Sequence, residues 1–177
     1  NLTLDYVTAM DIAVTGGGTI TAQNSVDLGG NSGWNFSSPT ARDLYWVGGG
    51  GNWSDQAHWS LSSGGAGGEC IPTAFDNVFF DQNSGFAGSG ETVTIDDDIV
   101  YCHNMTWQGV QNNPVLSSSN PVFKLFIYGS VAFEVGMNLD LPSDVHFRSN
   151  QTGETILMAS RSFDSGVYFD GTGEWNF

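Results

Sequence analysis

Three tryptophans and a run of glycines form the first group of residues whose types could do chemistry. Trp46, Trp53 and Trp59 lie around the four glycines 48–51 in the stretch LYWVGGGGNWSDQAHWS. No lysine follows the glycines, so they do not match the GxxxxGK[ST] loop that binds phosphate. Indole rings can stack on the apolar faces of sugars, but large aromatic side chains also seal the end of a stacked β fold. The stretch favours a cap or core packing, and ligand binding by the three indoles is the alternative.

Grouped carboxylates are the second candidate for chemistry. Asp96, Asp97 and Asp98 are adjacent, and Asp76 and Asp81 flank a short apolar run. Like charges resist burial unless a cation or N–H groups compensate them, and Ca²⁺ binds six to eight oxygens. These five aspartates are therefore candidate calcium ligands. Neither a DxDxDG loop nor a GGxGxD repeat is present, so solvated aspartates in turns are favoured, and calcium is the only cofactor considered.

The histidines give no support for catalysis. His58, His103 and His146 are far apart in the sequence, and no Ser or Cys nucleophile motif accompanies them. A Ser-His-Asp arrangement is therefore not supported. A glycoside hydrolase would need two acids about 5 to 10 Å apart across a cleft, a distance that a sequence does not give. We predict no catalytic residue and no enzymatic activity.

The chain has two cysteines, Cys70 and Cys102. An even count in a chain of extracellular composition predicts one disulfide between them. Two buried free thiols are the alternative. A zinc site is not expected, because no CxxC or HxH pair accompanies the cysteines.

The charge of the chain excludes two classes of partner. Against 19 carboxylates there are four cationic side chains, which gives a net charge of −15. This charge repels nucleic acids and anionic lipid surfaces. The sequence contains no run of about 18 apolar residues, so it predicts no membrane-spanning helix. Few Lys and Arg, with much Gly, Ser, Thr and Asn, are typical of secreted or surface-displayed β proteins, so we predict an extracellular location.

The elements that must position these residues are short strands. Alternating runs rich in β-branched and aromatic residues are separated by Gly, Asn, Asp and Ser, which predicts an all-β fold. Four similar pentapeptides, MTWQG, LFIYG, VHFRS and VYFDG, have the central residues Trp107, Ile127, Phe147 and Phe169, separated by 20, 20 and 22 positions. Regular spacing predicts a parallel β-helix or β-solenoid with about 20–22 residues per turn. A β-sandwich array is the alternative.

Alternation along each strand then assigns side chains to two faces. The four central residues should point inward in one column, next to a column of Met105, Leu125, Val145 and Val167. The outward columns are Thr106, Phe126, His146 and Tyr168, and Gln108, Tyr128, Arg148 and Asp170.

Exposed aromatic residues on this outer face are candidate ligand-binding residues. They are Phe126, Tyr128 and Tyr168, although single exposed aromatics are normal on sheets. We expect Arg148 to lie against the Tyr128 ring and to pair with Asp170. Such an exposed contact is worth about 0.5 to 1 kcal/mol.

Two similar segments far apart in the sequence indicate where repeat units end. GGNSGWNF ends at Phe36 and GTGEWNF ends at Phe177. We therefore interpret residues 1–36 as the C-terminal part of a preceding repeat unit and 37–43 as a linker. Residues 44–177 would form one β-solenoid repeat unit, with adjacent units of the same chain as partners.

The motif order carries a resemblance. The stretches YWVGGGGNWSDQAHWS, CIPTAFDNVFFDQNSGF, YCHNMTW and GTGEWNF resemble the large repetitive surface adhesins of the Bacteroidetes, of the gliding-motility type exported by the type nine secretion system. The resemblance implies a non-catalytic structural and adhesive module of a long cell-surface protein. It implies adhesion or gliding motility, with polysaccharide or another surface ligand and the secretion machinery as partners. A carbohydrate-binding module and a carbohydrate-active β-helix enzyme are the alternatives.

Overall fold

Strands joined by turns make up most of the chain, which confirms the all-β prediction. The structure is a computed structural model that describes residues 1–5, 7–27, 29–37 and 40–177. It is 39% strand and 2% helix, and its sheets are parallel apart from one antiparallel pair of strands. The chain divides into two compact units, Asn1–Ala41 and Arg42–Phe177. Among the described residues, no helix has the length and apolar character needed to cross a membrane.

The first unit contains five short strands within its described residues. They are β1 (Leu2–Asp5), β2 (Thr8–Ala9), β3 (Ile20–Gln23), β4 (Val26–Asp27) and β5 (Trp34–Phe36). Strands β1, β3 and β5 form one parallel sheet, and β2 pairs in parallel with β4. The terminal WNF of this unit is therefore a strand, with Trp34 paired to Ile20.

The second unit contains the remaining strands and a short 3-10 helix at Gln56–His58. The strands are β6 (Asp43–Trp46), β7 (Gly51–Asn52), β8 (Trp59–Ser60), β9 (Asn77–Asp81), β10 (Thr92–Ile95), β11 (Ile99–Cys102), β12 (Met105–Gln108), β13 (Val115–Ser118), β14 (Lys124–Ile127), β15 (Val131–Ala132), β16 (Asn138–Asp140), β17 (Asp144–Phe147), β18 (Glu154–Leu157), β19 (Val167–Phe169) and β20 (Trp175–Asn176).

Three sheets organise these strands. Sheet I has the order β20-β18-β15-β12-β9-β6-β8, sheet II has the order β16-β13-β10-β7, and sheet III has the order β11-β14-β17-β19. From β9 onward the chain enters sheet I, then sheet II, then sheet III, and repeats this passage with β12 to β14 and with β15 to β17. Every pairing between successive passages is parallel.

The inward side chains of the three sheets build one apolar core. Val78 and Met105 from sheet I, Val93 from sheet II, and Leu125 and Val145 from sheet III are all fully buried. Because side chains alternate along a strand, each inward residue is paired with an inward residue of the neighbouring strand. Inward residues of successive passages therefore lie on one another, and each passage supplies one layer of the core.

A row of polar side chains, here called the polar ladder, runs along the start of the sheet I strands. It comprises Asp43, Asn77, Asn104, Ser130 and Glu154. The Nδ2 atom of Asn77 donates to Asp43 (2.8 Å) and that of Asn104 donates to Asn77 (2.8 Å). The backbone N–H of Ser130 donates to Asn104 Oδ1 (2.6 Å), and the Ser130 hydroxyl donates to Glu154 Oε2 (2.5 Å). The ladder links five successive strands.

The expected spacing of 20–22 residues is wrong for most of the second unit. From β9 onward, paired residues are 25, 20 and 22 positions apart along sheet III, 27, 26, 25 and 21 along sheet I, and 23 along sheet II. The earlier parallel pairs, β6 with β9 and β7 with β10, are 34 and 42 positions apart. The connections between sheets differ in length, so no single period describes every passage.

The expected column of Trp107, Ile127, Phe147 and Phe169 is correct only in part. Ile127, Phe147 and Phe169 are successive partners in sheet III. Trp107 lies instead in sheet I, where its ring stacks on Phe80 at 4.0 Å. Cys102 occupies the position beside Ile127 that was predicted for Trp107. Met105 is likewise in sheet I, so the neighbouring column begins at Val100.

The linker predicted at 37–43 extends too far toward the C terminus. Asp43 begins β6, and Arg42 belongs to the second unit. The reason is electrostatic, because the Arg42 side chain donates two hydrogen bonds to the buried carboxylate of Asp76.

Candidate binding surface

The outer face of sheet III brings together aromatic side chains from four strands. Tyr101, Phe126, His146 and Tyr168 are successive partners on β11, β14, β17 and β19. They alternate with the inward residues of the same strands, so they point away from the core. We call these four residues the aromatic strip. Three of them were predicted to share an outward column, but Thr106 lies in sheet I and Tyr101 takes its place.

The rings of the aromatic strip contact one another in sequence; the outer two pairs are stacked, and Phe126 is tilted by 39° against His146. Ring centroids are 5.6 Å apart for Tyr101 and Phe126, 4.8 Å for Phe126 and His146, and 4.7 Å for His146 and Tyr168. Stacking covers the faces of the inner rings, and Phe126 is only 7% exposed. Tyr168 lies on the edge strand and is 45% exposed. Of the predicted ligand-binding residues, Tyr168 is therefore open to a ligand and Phe126 is not.

A glycine allows Tyr168 to take this position. A Cβ atom at residue 166 would lie 2.7 Å from Tyr168 Cε2 and 2.8 Å from Asp144 Oδ1. Real Cβ atoms do not approach other atoms so closely, so Gly166 leaves space that the tyrosine ring occupies. Because both groups border the space next to Gly166, the Asp144 carboxylate lies beside the Tyr168 ring.

Charged groups flank the strip. His146 Nδ1 lies 2.5 Å from Asp170 Oδ2, and Arg148 Nε lies 3.5 Å from the same oxygen. The hydrogen bond with His146, together with the nearby Arg148 guanidinium, lowers the pKa of Asp170. His146 Nε2 is buried and has no hydrogen-bond partner among the described residues.

The prediction for Arg148 is half confirmed. It pairs with Asp170 as expected. Its guanidinium, however, lies over the ring of Phe126, with Cζ 4.2 Å from the centroid, rather than over Tyr128. At the other end of the strip, burial and the nearby Tyr128 raise the pKa of Tyr101. Arg148 thus covers one side of Phe126 and helps to bury it.

The three tryptophans of the glycine-rich stretch are core residues, so their prediction as a ligand platform is wrong. Trp46, Trp53 and Trp59 are each 0% exposed. Trp59 meets Trp46 and Trp53 edge to face, with centroids 5.1 and 4.9 Å apart. Trp46 Nε1 donates to Gly49 O, and Trp59 Nε1 donates to Trp53 O. No indole face is left for a sugar.

These tryptophans close one end of the second unit, as the cap interpretation expects. β8 pairs with β6 in antiparallel orientation and forms the edge of sheet I. The His58 ring stacks on Trp46 at 4.6 Å. A Cβ atom at Gly51 would collide with that imidazole. The glycine therefore permits the close approach of the 3-10 helix to β7.

The aspartates proposed as calcium ligands are held by protein groups. Asp76 is bound by Arg42 and Thr73, and Asp96 accepts from the Ser54 N–H and hydroxyl. The other hydrogen bonds are from Asn83 N–H to Asp81 Oδ1 and from Asn120 Nδ2 to Asp98 Oδ1. Burial, with the charges of Asp96 and Asp98, raises the pKa of Asp97. Within the described part of the chain, no three His, Cys, Asp or Glu side chains are grouped to hold a metal ion.

The predicted disulfide is not formed, and both cysteines are free. Cys102 points into the core from β11 and is fully buried, whereas Cys70 lies outside the strands and is partly buried. Burial raises the pKa of the Cys102 thiol, which keeps it protonated. Cys102 therefore acts as a small apolar core residue.

Comparisons of the chain with family models, with curated proteins and with solved structures found no match.

Proposed function

We propose that residues 42–177 form a β-solenoid and that the chain is a non-catalytic adhesive module of a long bacterial cell-surface protein. The repeated passage through three sheets, with parallel pairing between successive passages, supports the solenoid. Sandwiches are typically built from antiparallel sheets. The polar ladder adds support, because it joins equivalent positions of successive strands.

We also propose that the two units come from adjacent repeats of such a protein. Both WNF segments pair in parallel with the strand before them in their own sheet, β5 with β3 and β20 with β18. Neighbouring repeats are then the first partners of this module. The acidic composition and the resemblance to gliding-motility-type adhesins support an extracellular location and export by the type nine secretion machinery.

The open ring of Tyr168 is the observation that carries the adhesive function. It lies at the edge of sheet III, with its inner face on His146 and with Asp144, Arg148 and Asp170 on or next to the same sheet. A sugar ring stacks on an aromatic face, its hydroxyls donate hydrogen bonds to carboxylates, and its oxygens accept hydrogen bonds from a guanidinium. A neutral polysaccharide is the ligand of choice, because the net charge of −15 repels an acidic one.

The test is affinity electrophoresis of the chain through gels that contain neutral polysaccharides, with Tyr168→Ala as the variant. We expect a retained wild type and about five- to tenfold weaker binding by the variant, because one stacked ring is lost. Tyr45→Ala is the matched control. Tyr45 stacks on Phe79 at 4.9 Å on the outer face of sheet I, so its removal should leave retention unchanged. Equal retention of wild type and Tyr168→Ala, or no retention of the wild type, would reject the proposed surface.

A further inference from the structure

The last passage of the chain differs from the earlier ones and leaves a cavity. Residues 158–166, all of them described, contain no strand, although β10, β13 and β16 occupy sheet II at this point of the earlier passages. The loop and the neighbouring strands border an open pocket of about 280 Å³. Phe169 lies at the opening of this pocket and is 47% exposed.

Apolar side chains form most of the cavity wall. Phe147, Ile156, Met158, Phe163 and Phe169 line it. Phe163 meets Phe147 edge to face, with centroids 6.2 Å apart, and Phe169 stacks on Phe147 at 5.2 Å. Three phenylalanine rings therefore surround the space, which suits an aromatic or aliphatic group.

One charged side chain lies in this wall. Arg161 Nε is buried and has no hydrogen-bond partner among the described residues, while its Nη1 donates to Asn138 Oδ1 at 3.2 Å. A guanidinium stays protonated at every physiological pH, so this N–H needs an acceptor. Ala159 and Ser160 adopt the left-handed backbone, with φ of 46° and 64°, in the turn that the Arg161 N–H closes by donating to Met158 O at 2.7 Å.

From the cavity and this arginine we propose a second binding site, for a free small molecule that carries an aryl group and a carboxylate. The ring lies among Phe147, Phe163 and Phe169, and the carboxylate accepts from Arg161 Nε. An apolar cavity of about 150 Å³ holds benzene in another protein, so the present volume has room for a ring and a short arm. The site is separate from the aromatic strip, which lies on the outer face of sheet III.

The experiment compares two probes that differ only in the head group. Binding of 3-phenylpropanoate and of the neutral 3-phenylpropan-1-ol is measured by calorimetry and by the change in tryptophan fluorescence, to which Trp175 contributes with its ring 5.2 Å from Phe169. We expect the acid to bind at least about tenfold tighter than the alcohol, because a charge-assisted hydrogen bond forms only with the acid. This comparison uses the unaltered protein, so it does not depend on the folding of a variant.

Arg161→Gln should remove the preference for the acid and leave the affinity for the alcohol unchanged. Lys124→Gln is the matched control, since it removes the same charge from an exposed position on β14 and should preserve the preference. Equal affinities of wild type for the two probes would overturn the proposal. The same conclusion would follow if the acid did not bind at millimolar concentration, or if Arg161→Gln retained the preference.

Discussion

Asp76 is the most heavily bonded carboxylate of the second unit. Its oxygens accept from the Arg42 side chain at 3.0 and 2.7 Å and from the Thr73 N–H and hydroxyl at 2.8 Å. Burial alone would raise the pKa of Asp76, but these hydrogen bonds outweigh it and leave the pKa lowered. The carboxylate fixes the start of β6 against the start of β9, and this explains why a residue first considered for calcium is structural.

Replacing this carboxylate should destabilise the fold. We expect Asp76→Asn to lower the free energy of unfolding by about 3 to 5 kcal/mol at pH 7, because a buried ion pair is broken. A lowered folded-state pKa contributes stability above the unfolded value of 3.8, and that stability is lost as pH falls through the folded value. The wild type should therefore lose stability below about pH 4, and Asp76→Asn should lose less. Urea unfolding at several pH values measures both.

Asp97→Asn is the control for the loss of one negative charge. The pKa of Asp97 is raised, so its ionised form is not favoured by folding. This variant should be no less stable than wild type at pH 7. Equal destabilisation by the two substitutions would mean that net charge, and not the Arg42 pair, sets the effect at Asp76.

The polar ladder is the element that holds the sheet I strands in register. Asn104 is its central member, with one hydrogen bond to Asn77 on one side and one from Ser130 on the other. A slip of one residue would turn every inward side chain of a strand outward. The ladder opposes such slips, because only one register places the amide groups opposite one another.

Removing the central amide should cost the energy of both contacts. We expect Asn104→Ala to lower the free energy of unfolding by about 1 to 3 kcal/mol, since polar backbone and side-chain groups lose their partner. Asn150→Ala, at an exposed position outside the ladder, should change stability by less than about 0.5 kcal/mol. Chemical denaturation of the two variants measures the difference. Similar small effects would show that the ladder contributes nothing to stability.

The all-β fold and several outward residues could be predicted from alternation, but the register could not. The spacing of 20 positions from Trp107 to Ile127 suggested a column, although the two lie in different sheets. A better signal was present in DLYW, NVFF, NMTW and SVAF, where a polar residue precedes an inward apolar one. All four segments overlap strands of sheet I, and their first residues, Asp43, Asn77, Asn104 and Ser130, are members of the polar ladder.

The candidate site was partly predictable for the same reason. Phe126, His146 and Tyr168 share a column because β14, β17 and β19 are evenly spaced. Burial of Phe126 depends on the stacked rings and on Arg148, which are tertiary contacts. The cavity at Arg161 depends on a missing strand in sheet II, and alternation gives no sign of it.

The second unit as a whole is closed around a core that includes Cys102. Because its thiol is fully buried in β11, reagents reach it only when the core opens. Its reactivity therefore reports on the unfolding of the unit and not on local fraying.

Thiol titration tests both the free cysteines and this protection. Denatured, unreduced protein should show two thiols per chain. In a native Cys70→Ser variant, Cys102 should react at least about 10³-fold more slowly than in the denatured protein, because few molecules are unfolded at any time. Absence of free thiols in the denatured sample would show that Cys70 and Cys102 form a disulfide after all. Fast reaction of native Cys102 would contradict its burial.

The antiparallel strand β8 has a consequence for how such a chain can change in evolution. A passage such as β12 to β14 contacts only the passages on either side, so its coding segment could be duplicated or deleted while the remaining layers rejoin in parallel. The segment that encodes β6 to β8 lacks this freedom, because a second copy would place a reversed strand inside sheet I. Length variation among descendants of this gene is thus expected after residue 76, and the tryptophan-rich segment should occur once in each unit.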